Sequence, residues 1–259
     1  MQRITTVGLL FLAVPVLHAQ NTSLDPVKDP CSLNGGIVPY TAFREANVAW
    51  KRRVWRVIEL KDVMNRPFRT PSGDPAPCLG LFGLIRHGLL DEGATATHDP
   101  GPMASNDAFR KPFSRPEIGS VVAALDTLPD ERVNRSMIKE DWIFDKQRSK
   151  MEVLIIGVAP MIELRGEDGE LCGHRPLFWL YSMECRLLFS GWAVAQDLSG
   201  NPLSYEDLLA QRSFTSIIVK MSNVFDQAIN EHKATRDALL ESEAFREQVS
   251  RTGFDLWNH

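Results

Sequence analysis

The stretch from Lys139 to Ala159, KEDWIFDKQRSKMEVLIIGVA, constrains this chain more than any other. Its first half alternates charge densely: Lys139, Glu140, Asp141, Asp145, Lys146, Arg148, Lys150 and Glu152 surround Trp142, Ile143 and Phe144. With no Gly or Pro break it then becomes Val153-Leu154-Ile155-Ile156, a β-branched run of the kind that forms a buried strand. Charged groups resist burial unless paired, which predicts a surface rich in ion pairs for the first half and core for the second. Val153 to Ala159 is apolar at every position, so the strand is expected to be covered from both sides. Glu167-Asp168-Gly169-Glu170 is a turn signal, and Leu177 to Tyr181 (LFWLY) is a second apolar run. Met151 to Glu163 and Leu177 to Phe189 therefore read as adjacent antiparallel strands. A sheet this apolar needs helices on one face, and more helices or a neighbouring subunit on the other.

The other elements follow from spacing and punctuation. Thr41 to Met64 reads as helix, with Trp50, Val54, Val57, Ile58 and Met64 near helical spacing. Leu81, Phe82, Ile85 and Leu89 predict a short packed helix over Leu79 to Leu90, and Glu117 to Leu125 a second one after Pro116. Short strands are expected at Ala94 to Thr97 and Phe214 to Val219, and a helix capped by Ser204. Two more helices are expected at Asn223 to His232 and Thr235 to Ser250. Prolines place irregular loops at Asn65 to Pro77 and Asp91 to Pro116. Together these predict an α+β fold: a small, mainly antiparallel sheet packed with helices and joined by long Pro-rich loops. Residues 39–259 form its single domain, and Gln20 to Val38 reads as a flexible arm.

Residues 1–19 have the order of a secretory signal peptide: a basic start at Arg3, an apolar centre at Leu9 to Val14, and a small residue at Ala19. The apolar part is too short to span a bilayer. The residue after the expected cut is Gln20 and the first Cys is Cys31, so no lipid-anchored Cys is expected at the cut. In an oxidising compartment Cys31, Cys78, Cys172 and Cys185 read as structural disulfides or buried thiols, with three pairings open. No CxxC, HExxH, GxSxG or phosphate-binding glycine loop occurs, so neither a metal nor a cofactor is expected. A net charge of −4 gives no sign of nucleic-acid binding.

The charge is nonetheless uneven. Between Arg44 and Arg69 there are eight basic residues against three acidic ones. The reading that follows is a docking face for an acidic partner, with Trp50 or Trp55 as anchor, set against the plainer one of a solvated face over core tryptophans. The expected contact residues are Arg52, Arg53 and Arg56 on that face, and Trp142, Lys146 and Arg148 on the central stretch. The competing functional reading is a periplasmic hydrolase using Glu140, Asp141 and Asp145 as acid and base; a third is a module that binds a small ligand between sheet and helices. Basic neighbours argue that these carboxylates form ion pairs instead.

Several segments together resemble the GldN/PorN family: IKEDWIFDKQRSKMEV (138–153), REANVAWKRRVWRVIEL (44–60), PLFWLYSMECR (176–186), Ser222 to Asp226, and the closing Asp255-Leu256-Trp257. The resemblance covers about Pro39 to Trp257. It implies a non-enzymatic periplasmic protein of the type IX secretion and gliding machinery of Bacteroidetes. It also implies self-association in a ring with an outer-membrane lipoprotein of the GldK/PorK type, and contact with the periplasmic part of a motor protein of the GldM/PorM type. Attachment to the inner face of the outer membrane would then come through the lipoprotein.

Overall fold

The computed structural model describes residues 31–40, 42–69, 78–98, 109–126, 132–196, 201–222 and 247. The expected signal peptide and the expected helix at Asn223 to His232 lie outside the described residues, as does the expected helix at Thr235 to Ser250 apart from Glu247, which is helical. At the centre are three long antiparallel strands, β1 (Val48–Glu59), β3 (Arg135–Asp145) and β4 (Lys150–Arg165). β2 (Ala96–Thr97), β5 (Leu171–Pro176), β6 (Trp179–Tyr181) and β9 (Ile217–Met221) complete a seven-stranded sheet in the order β2-β6-β4-β3-β1-β9, with β5 also pairing β4. A two-stranded sheet, β7 (Ala193–Gln196) with β8 (Pro202–Ser204), stands apart. Among the described residues, helices α1 (Leu81–Leu90), α2 (Arg115–Asp126), α3 (Ser182–Ser190) and α4 (Tyr205–Ala210) join them. The architecture is the mainly antiparallel α+β fold expected from the sequence.

The stretch 139–159 is the β3–β4 hairpin, turned through Lys146 to Ser149. Its second half is core, as expected, from Gly157 to Ala159 and at Ile155, with Val158 and Ala159 fully buried on opposite faces of β4; Val153, Leu154 and Ile156 are only half-buried. Its first half is a surface only at the turn, where Lys146, Arg148 and Lys150 are exposed. Lys139, Glu140, Asp141 and Asp145 are all buried, because ion partners distant in sequence reach each carboxylate or the turn closes over it. Full burial of a charge requires such pairing.

Three other expectations are corrected. Thr41 to Met64 is not a helix but β1, preceded by one 3-10 turn at Glu45–Asn47. A strand buried on both faces satisfies the same spacing of Trp50, Val54, Val57 and Ile58, and VAWKRRVWRVIE is rich in β-formers. A second 3-10 turn, Val63–Phe68, occupies the start of the expected 65–77 loop. The return strand stops at Tyr181: Ser182 to Ser190 is α3, whose Cys185, Leu188 and Phe189 recur at helical spacing and are buried.

One face of the sheet carries the main core. Ile58, Ile138, Ile155, Val158 and Leu180 meet Leu81, Leu84 and Ile85 of α1, Leu188 and Phe189 of α3, and Tyr205 and Leu208 of α4. Each such aliphatic side chain contributes about 1.5–3 kcal/mol on burial. Helix α1 approaches α3 so closely that a Cβ on Gly88 would lie 2.3 Å from Leu188 Cδ2. Helix α4 begins with the expected Ser204 cap, which forms a full capping box with Asp207. The opposite face carries a smaller buried apolar cluster of Trp55, Met137, Ala159, Met161 and Trp179. Cys31 and Cys78 form a disulfide, whereas Cys172 and Cys185 are free. Residues 31–33 are further tied down by Leu33 N–H donating to Gly191 O at 2.7 Å and Ala193 N–H to Cys31 O at 2.7 Å.

Candidate partner-binding surface

The register of β1, β3 and β4 sorts the basic and aromatic residues of the two strands into faces. Arg52 pairs with Trp142 and Trp142 with Val153, and one row nearer the turn Trp50 pairs with Phe144 and Phe144 with Met151. Paired residues share a face, so Trp50, Arg52, Trp142, Met151 and Val153 lie together. The helix-covered core ends short of these rows; Trp50, Trp142 and Met151 belong to a separate small cluster around Val54, Ile218 and Met221. All five are half-buried, leaving an aromatic and aliphatic patch at the hairpin end. The Arg52 guanidinium lies 5.6 Å from the Trp50 ring centre, a cation–π distance.

A buried carboxylate fixes the patch from beneath. Glu140 is fully buried; its Oε2 accepts the indole N–H of Trp142 at 2.7 Å, and its Oε1 lies 2.8 Å from the Arg212 guanidinium just beyond α4. Trp142 is thus held in one orientation while remaining only half-buried. Asp145 locks the hairpin turn by accepting the backbone N–H of Gln147 at 2.9 Å and of Arg148 at 3.3 Å. That turn presents Lys146 and Arg148 as exposed cations at the same end of the sheet.

The six sequence-derived contact residues therefore divide. Arg52 and Trp142 come together, and Lys146 and Arg148 join them at the hairpin end. Arg53 points to the opposite face, where Nε and Nη2 donate to Asp141 at 2.8 and 3.1 Å, and Lys51 adds a third contact at 3.0 Å. Burial alone would raise the Asp141 carboxyl; these cationic donors outweigh it and hold the group below the usual carboxylate range. Arg56 is buried, donating to the Ser216 hydroxyl at 2.8 Å and the Ser216 carbonyl at 3.2 Å. It belongs to the interior because β9 lies beside it, which a helical reading of the stretch could not foresee. Of the two candidate anchors, Trp50 is on the patch and Trp55 is buried on the far face beneath Lys220. Met151, Val153 and the Glu140–Arg212 support were not singled out from sequence; the period-2 phase of the two strands would have placed the first two.

The same register bears on acid–base chemistry. Glu140 and Asp141 are successive strand residues and point to opposite faces, so they cannot form a carboxylate pair. Asp145, four residues from Asp141, is about 13 Å along the strand and committed to the turn. Among the described residues no group of three His, Cys, Asp or Glu side chains could hold a metal ion, and no helix is long and apolar enough to cross a membrane.

A family model described as gliding motility associated protein GldN matches residues 43–258. No curated protein matches the chain significantly.

Proposed function

The chain belongs to the GldN family of gliding-motility-associated proteins, and on that premise we propose that it is a non-enzymatic, partner-binding subunit of the type IX secretion and gliding machinery. In this reading the chain is exported to the periplasm. There it associates in a ring with an outer-membrane lipoprotein of the GldK/PorK type and links to the periplasmic part of a GldM/PorM-type motor protein. The observation that carries the reading is the patch of Trp50, Trp142 and Arg52, with Lys146 and Arg148 beside it. Interface centres are enriched in Trp and Arg, and an aromatic held rigid by a buried partner loses little entropy on docking. The surrounding cations suit an acidic partner surface.

Arg52→Glu tests this. It reverses the charge beside both tryptophans without opening a cavity. It should weaken capture of the lipoprotein partner by roughly thirtyfold, the effect of losing a contact worth about 2 kcal/mol, while far-UV circular dichroism and melting temperature stay near wild type. Undiminished capture would remove the patch from the interface.

A further inference from the structure

On the sheet face opposite the Trp142 patch is a cavity of about 430 Å³. It is lined by the Arg53–Asp141 pair, by Phe109 and Tyr181, and by the exposed Thr95 and Glu184. Three features show local construction around it. The β3–β4 register slips between Lys139 and Glu140, pairing Lys139 with Gly157 and Glu140 with Ile155, so Ile156 is the extra residue of a bulge and lines the cavity. Bulges of this kind re-aim a side chain. Phe109 has φ 54°, a left-handed conformation that a bulky side chain rarely adopts. Its ring lies against the backbone of Gly157, where an added Cβ would be 2.7 Å from Phe109 Cζ. That ring is further held by the buried Lys139 ammonium, 4.5 Å from its centre and 4.2 Å from the centre of Trp179, and by Tyr181 at 5.1 Å.

The groups with capacity left over define the ligand. Arg53 is committed to Asp141, and the Thr97 hydroxyl donates to Trp179 O at 3.1 Å. The Glu184 carboxylate, the Thr95 hydroxyl and the Tyr181 hydroxyl make no hydrogen bond or ion pair among the described residues. These three can all accept hydrogen bonds, one of them carries charge, and they line the same cavity as the packed Phe109 and Tyr181 rings. Such a set matches a cation with several N–H donors, which gains from both the carboxylate and the ring quadrupoles. We propose that this cavity is a binding site for an alkyl-guanidinium or alkyl-ammonium group, with Glu184 as the charged acceptor and Phe109 and Tyr181 as the stacking walls.

The test is a titration of the full exported chain, followed by amide chemical shifts. One probe is blocked arginine (N-acetyl-arginine methylamide), one is agmatine, and blocked citrulline is the uncharged control. Saturable shifts at Tyr181 and Glu184 are expected with a cationic probe and not with citrulline. Glu184→Gln should weaken that binding about tenfold, the effect of losing a charge-assisted hydrogen bond, with circular dichroism unchanged. Thr95→Val should weaken it less. Tighter binding of blocked arginine would assign the site to a protein side chain, and tighter binding of agmatine to a free small cation. Absence of binding by both cations, equal binding of citrulline, or undiminished binding by Glu184→Gln would overturn the proposal. Arg52→Glu, on the other face, should leave probe binding intact, so this site and the partner-binding patch fail or stand separately.

Discussion

Replacing Glu206 with Ala should be among the most damaging single changes to this protein outside its aliphatic core. The carboxylate lies in α4 and accepts from Arg186 of α3, with Nε and Nη2 both 2.6 Å from Oε1. Both side chains are nearly sealed, at 7% and 9% exposure. The same guanidinium donates to Val38 O at 2.6 Å and has the Tyr40 ring 4.0 Å away, so it also pins residues 38–40 onto the helices. Truncating Glu206 leaves the cation buried with one neutral acceptor, which costs about 3–5 kcal/mol. Total stabilities are of the order of 5–15 kcal/mol, so the loss is roughly a fifth or more. Urea unfolding at pH 7, followed by tryptophan fluorescence, should show the midpoint falling in proportion with an unchanged slope. The melting temperature should fall by on the order of 10 °C. Glu206→Gln, which keeps an acceptor of the same size, should cost less. A Glu206→Ala protein within about 1 kcal/mol of wild type would refute the reasoning, because it would mean that water reaches Arg186 and the pair is not a buried one.

Two further stability predictions rest on named contacts. The Cys31–Cys78 disulfide spans 47 residues, and loop-closure entropy for that length gives about 4 kcal/mol; Cys31→Ser with Cys78→Ser should lose most of it in chemical denaturation, and a wild type as stable reduced as oxidised would contradict this. Asp141 is depressed in the folded protein, with burial opposing and the Arg53 and Lys51 contacts prevailing. A depressed carboxyl contributes stability that is present above its unfolded value, about 4, and is lost as pH falls through the folded one. Asp141→Asn should therefore destabilise at pH 7, with the deficit shrinking as pH falls below about 4; a deficit constant from pH 7 to 2 would remove Asp141 from the acid response.

What the sequence discloses here depends on how local the cause is. The apolar run of β4, the Asp168-Gly169 turn, the α1 spacing and the Ser204 cap all carry their signal within a few residues, and each element is found where that signal lies. β1 was misleading because its alternation is broken on both faces. Arg56 is buried by Ser216 of a segment 160 residues away, and Lys51 and Arg53 are drawn to Asp141 on β3. No local pattern tells a helix from such a strand. Burial of Lys139, Glu140 and Asp141 was illegible for the same reason: their partners include Phe109, Trp179, Arg212 and Arg53, none within the stretch. Of the candidate site, Arg52, Trp142, Lys146 and Arg148 could be named from charge and aromaticity. That Arg52 and Trp142 face each other while Arg53 turns away follows only once β1 is known to be a strand paired in this register.

The proposed docking surface is the hairpin end of the sheet. Gentle outer-membrane extraction from the native host, capture of this protein and electron microscopy of the assembly at side-chain resolution test it most directly. The expected result is a ring containing a lipoprotein of the GldK/PorK type, with Trp142 and Arg52 buried against a neighbouring chain. A monomer under conditions of active secretion, or a ring in which the Trp142 face is open to solvent, would contradict it.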